Sequence, residues 1–444
     1  MKKTRRTRVQ NIGRISLLYL FPGVVLFLTY LAIDLKGSID PLFDQLSQQG
    51  FVETFSVVFL QVAGGTPKAW AIILIFGGIQ LILMRILPGR RFRGPAADGP
   101  EYRNNGLMAF VVTIGLWIVA VYMLHLFPAT IIYDNLRGII GALNIFTQIL
   151  CNITNFKGRF RSSNPDRLIS SNPLHDFFRG IERYPLVMRV NVKHWITCRF
   201  GMMLWPIIVL SAWDSQRMFS GFNWAMTSCV LLQMMYIARF FLWERGFLHS
   251  SDIVHKRMGF YLCWNYLVWI PGFYTLPAVY LVYNAPGITA GAGILFFIAG
   301  AAAIILLYSI DRQRLVFRDM RGSSQVFGKA PRIIHAPLAV HGTQTMHGDV
   351  GNETQNPLLL ASGWWGMARH LHYTVGIFAA FFWTIPALFT NVIPYLYLLF
   401  LVGFFVYRTA VNERRCRKRY GDAWHEYCRL VPSRMLPGIY VSKK

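Results

Sequence analysis

A chain of 444 residues that is 54% hydrophobic, only 15% charged and of mean hydropathy +0.38 is too apolar for an ordinary soluble fold. Its formal net charge is +25, from 45 Lys and Arg against 20 Asp and Glu. The basic residues border apolar runs instead of forming a soluble patch, which points away from nucleic acid and toward membrane lipid as the partner.

An apolar run of about 20 residues crosses roughly 30 Å of hydrocarbon. Such runs predict an all-α integral membrane protein of about ten spans, at 15–33, 69–87, 106–124, 138–154, 201–213, 225–243, 259–283, 289–309, 374–392 and 394–411. The fifth is short. The seventh contains Pro271 and Pro277, which predicts a broken or re-entrant element. Residues 1–14 form a basic start and 34–68 an outer loop without strong pattern. Residues 88–105 read as a Gly/Pro-rich inner loop, and 155–199 as a longer inner segment containing "NPLHDFFRGIERYP". The excursion at 310–363 is the largest, with "RIIHAPLAV" and "PLLLAS" expected to pair as a hairpin around a polar tip at 341–356. One membrane domain over 15–411 and a closing segment at 408–444 complete the organisation.

Charge placement orients the chain. The expected outer loops hold Lys36, Lys68, Arg137 and Arg217, and the inner segments hold nearly all other cations, so both termini are placed in the cytoplasm. No cleavable leader is expected, because the first apolar run is long enough to remain as an anchor. The six cysteines form no CxxC pair and read as free thiols. His335, His341 and His347 have no accompanying Cys or carboxylate cluster and read as surface residues, so no metal site is expected. Arg239, inside an apolar span, is expected to pair with Glu244, to snorkel to the interface, or to act beside Tyr236. Glu244 and Asp252 read as interface residues that cap or pair.

Four expected inner stretches mix cations with aromatic rings. In "DRQRLVFRDMRG", Arg314 and Arg318 are four apart and share a helical face. "SGWWGMARHLHY" packs Trp364, Trp365, Arg369, His370, His372 and Tyr373 together. Arg408, Asn412, Arg415 and Arg419 form one polar helical stripe, and Tyr420, Trp424 and Tyr427 come after it. Singly, each stretch suits lipid phosphates and a membrane interface. Together they suit a phosphorylated, ring-bearing cofactor, because guanidinium forks hold phosphate and flat side chains stack on bases.

The closing "YGDAWHEYCRLVPSRMLPGIY" resembles the carboxyl-terminal signature of the sterol reductase family. "LPGRRFRGPAADGPEYRNNGLMAF", "DFFRGIE", "MGFYLCWNYLVWIPGFYTLPAVYLVYNAP" and "SGWWGMARH" resemble further motifs of that family in the same order, from about residue 80 onward. The resemblance implies ten spans, NADPH as cofactor and reduction of a sterol carbon–carbon double bond, with Δ7 ahead of Δ14 and Δ24. It implies a carboxyl-terminal cytoplasmic pocket in which Arg314, Arg318, Trp365, His372, Arg408, Asn412, Arg419, Tyr420 and Tyr427 bind the cofactor. Tyr236 faces the sterol, and the membrane is the endoplasmic reticulum of a eukaryote or the inner membrane of a bacterium. An alkene must be protonated before hydride can add, so Tyr236, His372 and position 412 are the catalytic candidates, with His370 a further proton source.

The chain departs from the family pattern where acids are expected. Asn412 and Arg239 each replace an aspartate, and His372 replaces an asparagine. The same residues leave two alternatives open: an isoprenylcysteine-type membrane methyltransferase using S-adenosylmethionine, and a non-catalytic sterol-binding protein.

Overall fold

The computed structural model describes residues 2–94, 99–162, 166–336 and 358–441. It is an all-α membrane protein, 72% helical. The helices are α1 (Lys2–Ile33), α2 (Asp40–Phe55), α3 (Pro67–Ile86), α4 (Gly106–Ile118), α5 (Leu136–Phe160) and α6 (Val192–Ser220), then α7 (Trp224–Leu242), α8 (Phe260–Asn284), α9 (Ala290–Asp319), α10 (Leu371–Thr384), α11 (Leu396–Tyr420) and α12 (Asp422–Leu430). Among the described residues, 8 helical stretches are long and apolar enough to cross a bilayer. Two shorter apolar helices, Leu20–Ile33 and Leu371–Ala387, fall where the first and ninth spans are expected.

Three expectations change. Residues 34–68 are largely helical: α2 starts on Asp40 and Pro41 and bends at Gly50 (φ 78°). The polar "SQQG" masks its apolar positions in the sequence. Thr66 then caps α3, its hydroxyl accepting from the Ala69 amide at 3.1 Å. The fifth span is not short, because α6 runs 29 residues, starting on the Asn191 cap. Lys193 and Arg199 interrupt its apolar run. In the fold both are buried and satisfied: Lys193 donates to the carbonyls of Ile253 and Lys256, and Arg199 pairs with Glu244. The seventh span is one continuous helical stretch and not a broken one. α8 passes Pro271 in a widened i→i+5 segment, Asn265–Tyr274, which absorbs the missing proline amide without breaking the helix.

Strands β1 (Arg90–Arg93) and β2 (Glu101–Asn104) pair antiparallel in the loop after α3. The hairpin expected at the large excursion forms. Its strands β3 (Ile333–His335) and β4 (Leu358–Leu360) pair antiparallel, Ile333 opposite Leu360. The expected tip, with His341 and His347, lies outside the described residues; His335 is exposed. Strands β5 (Ser433–Leu436) and β6 (Ile439–Val441) close the chain. All six cysteines are free.

The apolar core is one large cluster through α1 and α3–α11. A smaller cluster joins Leu307, Ile310 and Phe317 of α9 to Trp365 and Leu371, and a third centres on Trp424, Tyr427 and Val431. α9 packs along both α7 and α10. Tyr236 of α7 touches both the large cluster and the one holding Trp365. Its phenol therefore stands between a membrane core and a polar end.

Candidate active site

The site is assembled around a single turn, Trp364–Met367, docked on α9. Gly363 turns the chain at φ 62°, where a Cβ would stand 2.5 Å from Val326 and 2.6 Å from Gln313, so only glycine fits. Gln313 accepts from the Trp364 amide at 3.0 Å, the Trp364 indole donates to Ser309 at 3.0 Å, and the Trp365 indole donates to the Ile310 carbonyl at 3.1 Å. These bonds fix the Trp365 ring, and the Arg314 guanidinium lies 4.7 Å from its centroid.

Rings continue from there. His372 lies 5.1 Å from Trp365 and 4.1 Å from Tyr373, and Tyr373 stacks on Phe405 at 4.7 Å. The Tyr373 hydroxyl accepts from Arg408 Nε at 2.9 Å and from Asn412 Nδ2 at 3.0 Å, which gathers two residues of the α11 stripe at the rings. Nδ1 of His372 is buried without a hydrogen-bond partner at the centre of this group. Arg239, Arg314 and Arg408 all lie within electrostatic reach of its ring.

A second run of rings meets the first. The Tyr427 hydroxyl donates to the Trp365 carbonyl at 3.2 Å; Trp424 lies 5.2 Å from Tyr427 and 6.4 Å from Tyr420, and Arg419 covers the Tyr420 ring at 5.5 Å. Burial pushes the Tyr427 phenol well above its ordinary range, so it stays a donor.

One ion pair locks these parts together. Arg369, fully buried, binds Glu413 through Nε at 2.8 Å and Nη2 at 3.3 Å, and donates from Nη1 to the carbonyls of Val431 and Pro432, the latter at 3.2 Å. The amides of Arg369 and His370 donate to the carbonyls of Ser433 (3.1 Å) and Arg434 (2.8 Å). The bonds to Val431, Pro432, Ser433 and Arg434 tie the carboxyl-terminal segment to the head of α10, and Glu413 of α11 holds the Arg369 fork in place for them. Burial lowers the His370 pKa, and Glu413 beside it opposes the shift.

Of the residues expected from the sequence, Arg314, Trp365, His372, Arg408, Asn412 and Tyr427 meet in one place, with Arg419 and Tyr420 on its flank. Arg318 is exposed, one turn beyond Arg314 and within reach of His249. Tyr236 packs on Trp383 at 5.2 Å and Trp205 at 5.9 Å, on the membrane side of the group. Arg239 does not pair with Glu244; it pairs with Asp311 of α9 and covers the Trp243 ring at 5.4 Å. Glu244 does pair, as expected, but in a fully buried site between Arg199 and His194, the latter at 3.2 Å. The side chain of Asp252 lies outside the described residues.

Among the described residues, only His194, Cys198 and Glu244 bring three metal-ligating groups within 4.8 Å of one another. The Arg199 fork already occupies Glu244 there, and its charge opposes a cation. A surface cavity of ≈ 560 Å³ beside α12 is lined by His335, Asp422, His425, Glu426 and Arg429, a carboxylate-bearing set poorly matched to phosphate.

Residues 9–440 match the ergosterol biosynthesis ERG4/ERG24 family. The chain belongs to this family of sterol reductases. It is 36% identical over 437 residues to a 7-dehydrocholesterol reductase of Arabidopsis thaliana, covering 97% of this chain and 98% of that one. It is 29% identical over 383 residues to a 7-dehydrocholesterol reductase of Xenopus laevis (84% and 79% covered). It is also 30% identical over 383 residues to a Δ(14)-sterol reductase of Methylotuvimicrobium alcaliphilum (85% and 83% covered). This sterol reductase family member is therefore an integral membrane oxidoreductase, and a family match along nearly the whole chain leaves the methyltransferase alternative without support.

Reading the sequence missed the part played by three residues. Tyr373 is visible there only as one ring among several, although it is the acceptor for both Arg408 and Asn412. Glu413 is hidden in "NERRCRKR", a run that reads as solvated charge. Asp311 opens "DRQRLVFRD" and is overshadowed by its arginines. An acid just past the end of an apolar run was the available signal.

Proposed function

We propose that this protein reduces a sterol carbon–carbon double bond with NADPH, with Δ7 favoured as the bond reduced and Δ14 or Δ24 as the alternatives. The observation that carries this reading is the convergence of Arg314, Trp365, His372, Tyr373 and Arg408 beside a tyrosine of the membrane core. The residues suit the cofactor. Guanidinium groups at 314, 408 and 419 would take its phosphates, with Arg318 at the rim; Trp365, Tyr420 and Tyr427 offer flat faces, and the unpartnered His372 Nδ1 offers a polar contact. The positive-inside asymmetry puts this end, and both termini, on the cytosolic side, where NADPH is found. The same membrane is the endoplasmic reticulum in a eukaryote or the inner membrane in a bacterium.

The cofactor, when bound, supplies hydride. Everything else falls to the chain. An alkene is a poor hydride acceptor until a proton adds to one carbon and leaves positive charge on the other. Tyr236, with its ring against Trp383 and Trp205, holds a phenolic proton in an apolar wall where water would otherwise intercept the cation. Asn412 has no acidic proton; it acts by fixing Tyr373. His372 is the other proton-bearing candidate and stands nearer the cofactor rings.

The test is turnover. Protein purified in detergent is mixed with NADPH and sterols unsaturated at Δ7, Δ14 or Δ24, and products are separated by mass. NADPH-dependent saturation of one substrate is expected. A sterol that binds but stays unsaturated with NADPH would return the reading to a non-catalytic binding protein.

A further inference from the structure

The Arg239–Asp311 pair is a charged contact between two apolar helices, α7 and α9. Arg239 is 8% exposed and sits in an apolar span, and its partner comes from a second span. Buried ion pairs are replaced by apolar residues with little or no loss of stability, so packing alone does not account for this one. Its placement does. Tyr236 and Arg239 are three apart on α7 and share a face; Asp311 and Arg314 are three apart on α9 and share another. The pair thus lies between the turn of α7 that carries Tyr236 and the turn of α9 that carries Arg314, whose guanidinium stacks on Trp365. Arg239 and Asp311 are also the two charged groups that act on the Tyr236 phenol.

We propose that Arg239 is the counter-ion of the Tyr236 phenolate formed during turnover, and that Asp311 is the positioning residue that holds Arg239 there. The inference rests on the reductase reading. In the step, the phenol O–H bond breaks and its proton forms a new C–H bond on the alkene, leaving phenolate and a carbocation. A reduced nicotinamide, if bound, would supply the hydride that the cation needs, and a proton from water on the aqueous side returns the phenolate to phenol. The sum is one alkene, one hydride and one proton. The other acids in view are committed: Glu413 to Arg369 and Glu244 to Arg199. Phenolate in an apolar wall is strongly disfavoured without a cation, and arginine stays charged at any working pH.

Four proteins test this: wild type, Arg239→Gln, Arg239→Lys, and the double variant Arg239→Met with Asp311→Leu. Each is assayed for kcat, sterol KM, sterol affinity without cofactor, and thermal midpoint. Arg239→Gln is expected to lower kcat about 100-fold, the loss typical of one preorganised electrostatic group, with sterol affinity little changed. Arg239→Lys recovers most of that loss. The double variant regains the wild-type midpoint but keeps the low kcat. Wild-type kcat in the double variant, or equal loss with Lys and Gln, overturns the proposal by making the pair structural. A wild type that turns over no sterol refutes the reductase reading itself, and this inference falls with it. Should the double variant not fold, the Lys-against-Gln comparison decides alone.

Discussion

Replacing Glu413 with Gln should loosen the carboxyl-terminal segment on α10 while leaving the membrane core intact. The substitution keeps the shape and removes the charge that faces Arg369, itself 2% exposed. Breaking a buried pair by removing one partner costs about 3–5 kcal/mol, since the remaining charge is left uncompensated. The low end applies, because Arg369 keeps its bonds to the Val431 and Pro432 carbonyls. About 3 kcal/mol raises the open population of the segment roughly 100-fold, at tenfold for each ~1.4 kcal/mol. Hydrogen–deuterium exchange read by mass spectrometry reports it directly. The amides of Arg369 and His370, which donate to Ser433 and Arg434, should exchange about 100-fold faster. Amides of α6 and α8 should not change. Unaltered exchange at 369 and 370 would show that the clamp is held by something other than this ion pair.

Arg408→Ala should weaken NADPH binding about tenfold to 100-fold, by loss of a charge-assisted contact, with sterol affinity retained; isothermal titration with each ligand checks both halves. Tyr373→Phe removes only the hydroxyl that gathers Arg408 and Asn412, so cofactor affinity should fall by a factor of about 3 to 10, equivalent to ~0.5–1.5 kcal/mol. Tyr236→Phe should reduce kcat far more than it raises sterol KM; a rate equal to wild type would remove the phenol from the chemistry. Glu244 gives a pH prediction. Burial alone would raise its pKa, but Arg199 and His194 outweigh it and lower the value from 4.5 to about 2. A carboxyl depressed on folding stabilises fully above its unfolded value and loses that contribution as pH falls through the folded one. The thermal midpoint should therefore drop between about pH 4.5 and pH 2 in wild type, and Glu244→Gln, already destabilised, should show a flatter profile over that window.

The membrane architecture was legible because hydrocarbon thickness imposes a run length that few other constraints imitate. Legibility failed where polar groups are satisfied inside the protein. Lys193 and Arg199 cut the fifth span short in a linear scan, which counts their charges and not the carbonyls and carboxylate that receive them. Pro271 suggested a break for a similar reason: a widened turn can absorb a missing amide, and nothing local announces it. The cations and rings of the site were visible as clusters. Their partners were not, because Arg239–Asp311 and Arg369–Glu413 join residues separated by 72 and 44 positions. Glu244 is the nearest acid to Arg239 in sequence, and helix packing chose another.

The clamp on Ser433 and Arg434 also bears on how the protein is made. Synthesis runs from the amino end, so every span can enter the bilayer before the strand that closes the candidate site has left the ribosome. A transcript ending prematurely after Leu430 would yield a well-inserted product whose Arg369 faces no Val431 or Pro432 carbonyl.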